Sequence, residues 1–383
     1  MMTRLLGVSD SGVLVGGAAT AVQAAVAPLL NSEFTYPQAY AAAPNGNDDT
    51  DVLADAAAKG LALRPGVYRA TRPIDVSNAV LVGVPRKTVI HVTSESLLST
   101  SRAWESLHVS GINFEARSDL VRNFLRCTYT GIDVASKKVI SDCEFRGHTR
   151  AAVSCAQYDN PYVLVDRCQF HGANMTTSSG VALAGNMDGS RIRDCDFLIG
   201  KHGVIVGQAG ITMEITGCDF VHFGPGNNRT NVWAIPHDNY VNAGHGFQIT
   251  DNKFGNENLD ASDYRVVFAD KGAPFDAQAS IPGDWDMSTA VSAGYAIQGQ
   301  ITGNRFCGGP EGMRSPVISH TPRLWAYTIR DNPAVGTPGP YAVEFAPGAL
   351  PTRQTNTRVQ AGSTIPGNTS QAATNAAEYM ILD

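Results

Sequence analysis

The sequence predicts an all-β solenoid: short parallel strands wound into stacked coils, with a short N-terminal helix and an irregular C-terminal tail. Three observations predict it. First, a β-branched residue, then usually Cys or Asn three positions on, then Phe two further, recurs along the chain and is clearest in Val139–Phe145, V-I-S-D-C-E-F. The first slot is Val or Ile in all eight copies: Val109, Ile140, Val165, Ile192, Ile215, Ile249, Ile301 and Ile329. Second, the Cys/Asn slots fall at 112, 143, 168, 195, 218, 252, 304 and 332, a long repeat of short strands with no helical period. Such a repeat means coils stacked on one another. Third, 38 Gly and 20 Pro with only 17% charged residues suit strands and turns better than helices. The interval of 52 residues from Asn252 to Asn304 holds either two coils or one coil with a long insertion.

Each motif places its Val/Ile and its Cys/Asn inward. This breaks the period of two at residues such as Asp142 or Gly217, where the chain must bend. Asn tolerates the left-handed conformation such bends need, and stacked Asn side chains can hydrogen-bond along the axis. Phe restarts the next strand and stacks on its neighbours. Cys143, Cys168, Cys195 and Cys218 occupy the inward slot. On consecutive coils their Cα atoms lie about 4.8 Å apart, but parallel Cβ vectors argue for a ladder of thiols over disulfides. A second inward strand per coil is visible in A-A-V-S-C (151–155), G-V-A-L-A (180–184) and G-V-I-V-G (203–207), where the G-V pairs read as coil turns.

Before the coils, residues 1–43 form a helical leader in which Ala18, Val22, Ala25, Val26 and Leu29 share one face, suited to attachment or a trimer cap, or equally to capping the end of the core. Asp10, Gly16, Gly17 and Gln23 interrupt its apolar run, which argues against a membrane span. Asp48, Asp49 or Thr50 can cap a helix through about Lys59, with Gly60 as its stop. Residues 44–345 make the solenoid, with excursions near 223–245 and 257–295; residues 346–383 read as the irregular tail, whose final Y-M-I-L clips onto the body or a neighbouring subunit. The net charge of −6 offers no basic patch for nucleic acid. The seven cysteines include no C-x-x-C metal pair, and neither a metal nor a cofactor is expected.

N-G-N-D-D-T-D-V-L-A-D-A-A-A-K-G (45–60), L-R-P-G-V-Y (63–68) and V-L-V-G-V (80–84) together resemble the opening of pectate-lyase-like right-handed parallel β-helix proteins. The leader S-D-S-G-V-L-V-G-G-A-A-T-A-V-Q-A-A-V-A-P-L-L (9–30) resembles the segment ahead of bacteriophage tailspike β-helices, and the likeness spans roughly residues 9–335. Asn47 departs from the family's Gly-Asp-Gly, and no local copy of pectate lyase's calcium-binding carboxylates and catalytic arginine is present, so pectate cleavage is not implied. The resemblance implies a homotrimeric spike of a phage or phage-like particle. It would sit on the virion, attach to other virion proteins through the leader, and act at the bacterial surface on host capsular polysaccharide or lipopolysaccharide.

Three functions follow: a spike that binds and cleaves glycan, with hydrolysis favoured over elimination; a non-enzymatic receptor-binding or decoration spike; and a secreted polysaccharide lyase. Hydrolysis needs two carboxylates about 5–5.5 Å apart for retention or about 6.5–9.5 Å for inversion. The outward slot after Cys/Asn reads Glu144, Gln169, Asp196, Asp219, Lys253 and Arg305, so Asp196 and Asp219 fall on adjacent coils. They form either an acid pair or a solvated ladder in which Lys253 screens Asp219. The excursions carry Trp233, His237, Asp238 and Tyr240 in the first, and Asp284, Trp285 and Asp286 in the second. Asp238, Asp284 and Asp286 join Asp196 and Asp219 as catalytic candidates. Trp233 and Trp285 are either sugar platforms or loop anchors. His148 with Arg150, and Lys201 with His202, precede successive second strands, where a cationic strip could hold an acidic glycan.

Overall fold

Among the described residues, three all-parallel sheets of 10, 11 and 11 strands wrap one core, each strand pairing with its counterpart one coil away. The computed structural model describes residues 39–102, 104–128, 137–155, 162–183, 189–207, 213–222, 229–235, 246–256, 263–269, 296–307, 314–322, 324–335, 339–361 and 371–383. One coil illustrates the path: Lys138–Ser141 in the third sheet, a two-residue bend, Glu144–Arg146 in the first sheet, then Ala151–Cys155 in the second. The fold is therefore a parallel β-helix.

The opening module is held by its acidic pair. Helix α1, Thr50–Lys59, buries Leu53, Ala56 and Ala57 and ends at Gly60 in the left-handed region (φ 64°). Asp48 Oδ1 accepts the Thr50 N–H (3.0 Å), and with the Thr50 and Thr71 hydroxyls this holds the Asp48 carboxyl down at about 2. Asp49 is fully buried and accepts the backbone N–H groups of Asn45 (2.9 Å) and Arg69 (3.0 Å), fastening the helix start to strand Gly66–Ala70. Tyr68 is buried, and its hydroxyl receives the Arg64 N–H at 3.0 Å.

The bend between the third and first sheets is the same in every repeat. The residue before the Cys/Asn slot is left-handed throughout: Gly111, Asp142, Arg167, Asp194, Gly217, Asp251, Gly303 and Asp331, with φ from 49° to 71°. Asp and Gly dominate because they tolerate this region best. The slot Asn is thus not the left-handed residue, contrary to expectation; it packs inward. Asn252 Oδ1 accepts the Cys218 N–H (2.9 Å), Asn304 Oδ1 accepts the Asn252 N–H (3.0 Å), and Asn332 Oδ1 accepts the Asn304 N–H (3.0 Å). Their Nδ2 groups donate to the carbonyls of Ile215, Ile249 and Ile301. The cysteines extend this ladder more weakly: Cys168, Cys195 and Cys218 thiols lie 3.6–3.7 Å from the Ile140, Val165 and Ile192 carbonyls, and all four slot thiols are free.

Beside the ladder, Phe114, Phe145, Phe170, Phe197, Phe220, Phe254 and Phe306 form a continuous stack with centroids 4.7–5.1 Å apart and rings within 9° of parallel. Gly180 and Gly203 lie inside second-sheet strands rather than in turns. A Cβ on Gly203 would fall 2.7 Å from both the Phe220 ring and the Asn231 carbonyl, so the glycines make room for the stack.

Ile249 pairs with Ile301 in the third sheet, so the long interval is one coil with an insertion. The excursions are shorter than the sequence suggested. Thr230–Ile235 is a second-sheet strand in register with His202–Gly207, and Tyr264–Phe268 follows it in the same sheet. Both are buried along their whole length, which erases the polar–apolar alternation that marks a half-exposed strand. Beyond residue 346 the chain still adds short strands: Arg358–Val359, Ala372–Thr374 and Ile381–Leu382, the last paired with Arg358–Val359 after the buried Met380. Among the described residues no helix is long and apolar enough to cross a membrane.

Candidate functional site

The outer face of the first sheet gathers the repeat's polar slots into columns. Asn113, Glu144, Gln169, Asp196, Asp219, Lys253 and Arg305 are in register from coil to coil. Asp196 and Asp219 are direct partners on neighbouring strands, which places their Cα atoms about 4.8 Å apart. Each has an outer neighbour: Gln169 Nε2 donates to Asp196 Oδ2 at 3.0 Å, and Lys253 Nζ meets Asp219 Oδ2 at 2.8 Å. Asp219 Oδ1 is buried and has no hydrogen-bond partner. Hydrogen bonding to Asp219 raises the Lys253 pKa above the usual lysine range. The screening of Asp219 by Lys253 read from the sequence is therefore present, together with a second oxygen that Lys253 leaves unused.

The adjacent column adds groups that the slot pattern did not single out. Arg146 and His171 are in register, and both approach Glu144: Arg146 forms a close ion pair, while His171 Nε2 lies 3.5 Å from Oε1. Glu144 is only 14% exposed. Burial, then the Arg146 charge, push the His171 pKa below the usual imidazole range, although Glu144 and Asp196 pull it up. His171 thus stands between two carboxylates, predominantly neutral near pH 7. Its signal was available one residue after the repeat Phe, but it became meaningful only once the strands were stacked.

The other sequence candidates lie elsewhere. Asp238, Asp284, Asp286, His237, Tyr240 and Trp285 fall outside the described residues. Trp233 sits on a second-sheet strand, fully buried, and its Nε1 donates to the Ala269 carbonyl at 2.9 Å; it has no open face in the single chain. It belongs to a second apolar cluster with Ala151, Ala182, Ile205, Ile235, Tyr264, Val267, Ala269 and Ile318. Of the anticipated cationic strip, Arg150 is half-buried, whereas His148, Lys201 and His202 are buried. Burial lowers the His148 pKa to about 4, and burial plus the Lys201 charge lower His202 to about 3. Both rings are neutral near pH 7, so the strip does not carry the charge expected of it. Trp325, not singled out from the sequence, is half-buried on the third sheet, with the Arg353 guanidinium 4.4 Å from its ring centroid.

Comparison with known proteins supports the fold. No protein-family model matches the chain, and a search of curated proteins gives no match. Among solved structures, the Agl-KA catalytic domain superposes with a TM-score of 0.50 at 11% identity, over 91% of this chain and 68% of that one. A mutant tailspike protein of E. coli bacteriophage HK620, in complex with pentasaccharide, gives a TM-score of 0.50 at 12% identity, over 89% of this chain and 64% of that one. The chain thus shares a right-handed parallel β-helix fold with these two structures and spans about two thirds of each of them.

Proposed function

We propose that this β-helix is a spike that binds a bacterial surface polysaccharide and cleaves it by hydrolysis on the outer face of the first sheet. The in-register Asp196–Asp219 pair carries the proposal. One coil step is close to the roughly 5–5.5 Å carboxylate separation of a retaining glycosidase. Their neighbours differ: Asp219 faces the Lys253 ammonium and Asp196 the neutral Gln169 amide. This asymmetry assigns Asp219 as nucleophile and Asp196 as acid. Asp219 would attack the anomeric carbon while Asp196 gives its proton to the departing glycosidic oxygen. Water, deprotonated by Asp196, would then break the glycosyl–Asp219 bond. His171 and Glu144 would contact the sugar to one side of the cleaved bond. The wider reading includes a homotrimer mounted on a virion through residues 1–43. The HK620 tailspike, crystallised with pentasaccharide, motivates the substrate class.

The test is release of reducing ends from a panel of capsular polysaccharides and lipopolysaccharides. Asp196→Asn and Asp219→Asn should each lower release about 100-fold or more while leaving glycan retention unchanged. A second reading rests on the same contacts: Gln169 and Lys253 hold the carboxylates in a purely binding face. Retention without release by the unmodified protein would establish that reading; neither retention nor release would refute both. Sedimentation of the full chain checks the trimer.

A further inference from the structure

Among the described residues where the first sheet gives way to the second, Arg229 and Arg265 are buried alongside a single carboxylate, Asp263. Arg229 and Asp263 each immediately precede a second-sheet strand, on successive coils, and both side chains are completely buried. They satisfy one another closely: Asp263 Oδ1 accepts the Arg229 backbone N–H at 3.0 Å, and Oδ2 accepts Arg229 Nε (3.0 Å) and Nη2 (2.6 Å). Arg265, two residues beyond Asp263, makes no ion pair among the described residues, although Asp263 offsets part of what burial and the Arg229 charge do to it. It is 2% exposed; its Nη2 donates to the Cys307 carbonyl at 3.2 Å, but Nε and Nη1 have no acceptor among the described residues. Opposite it on the neighbouring strand is Asn231, between the registered pairs Thr230–Tyr264 and Val232–Val266. Asn231 is fully buried, and neither its Nδ2 nor its Oδ1 has a partner among the described residues.

A buried guanidinium is retained only with a counter-charge and acceptors for its N–H groups. A buried amide without partners likewise implies a further group at hydrogen-bond distance. Facing positions on adjacent parallel strands point to the same side about 4.8 Å apart, so one small group can reach both. We propose that this corner binds a small monovalent anion of halide size, held by charge-assisted hydrogen bonds from Arg265 Nε or Nη1 and by the Asn231 amide N–H. Among the described residues the guanidinium groups of Arg229 and Arg265 share the single buried carboxylate of Asp263, so one further negative charge would complete the balance. The anion would act as a structural pin between successive second-sheet strands and would be independent of glycan binding on the first sheet.

The test uses the full chain dialysed into sodium gluconate, then titrated with sodium bromide or chloride at constant ionic strength. The melting temperature should rise with halide and keep rising by about 2 °C for each tenfold increase above the dissociation constant. Arg265→Met, which keeps the length and removes the donors, should abolish that dependence. Crystals of the unmodified protein soaked in bromide should show an anomalous peak within hydrogen-bond reach of Arg265 and Asn231, a result that does not depend on any variant folding. No peak there, or an equal halide response in Arg265→Met, would overturn the proposal. Glycan release or retention is a separate measurement and bears only on the Asp196–Asp219 reading.

Discussion

His202 lies 5.4 Å, centroid to centroid, from the Trp233 ring, with both imidazole nitrogens buried and without partners. A neutral ring tolerates that setting and a charged one does not. Its pKa is about 3 in the folded chain, against about 6.5 unfolded. The unfolded state therefore takes up the proton first as pH falls. The contribution of neutral His202 is complete above about pH 6.5 and is lost between there and about pH 3, on the order of 5 kcal/mol in all. His148, at about 4, adds a loss in the same direction. We predict that His202→Phe, close in shape and without polar atoms, folds as stably as the parent at pH 7 and loses less stability down to pH 4. Urea midpoints at the two pH values check this; an equal or steeper acid loss would contradict the burial argument. The sequence suggests a cationic strip here because Lys201 and His202 are polar residues beside a strand, and only the stacking of coils places them inside.

At the scale of the strand and its neighbours, the Phe stack and the second sheet depend on each other. Gly203→Ala would drive a methyl group into the Phe220 ring and the Asn231 carbonyl, both 2.7 Å from the added carbon. We predict a loss of about 1–3 kcal/mol, seen as a lowered urea midpoint with an unchanged slope. A neutral effect would mean that the stack has slack. What could be read in advance follows the same division. The Ile, Asn and Phe slots of Ile301, Asn304 and Phe306 face a core that repeats, so each copy reports the same environment and the pattern shows in one dimension. Trp233 packs in a second apolar cluster, apart from the repeating core, on a strand buried along its whole length, and no repeat announces that. Asp196 and Asp219 were legible because they share a slot. The His171–Glu144 contact joins different slots on different coils, so register had to be known first.

For the whole molecule, coil-on-coil contact makes stability nearly a nearest-neighbour property. Central coils have a partner on each side, and the Asn ladder links each coil to the next. We predict that hydrogen exchange is slowest at central second-sheet amides such as Val204 and Val232. It should be several orders of magnitude faster at Val359 and Leu382, whose strands are two residues long. Uniform protection would contradict this gradient. The strands run across the solenoid axis, so their hydrogen bonds, the Asn ladder and the Phe stack all lie along it. The same geometry makes the body mechanically one-sided. Compression presses close-packed rings and strands together and is resisted by every coil at once. Tension opens the bonds of one coil interface at a time, so the solenoid should push like a solid column and, when pulled from its end, peel one coil after another.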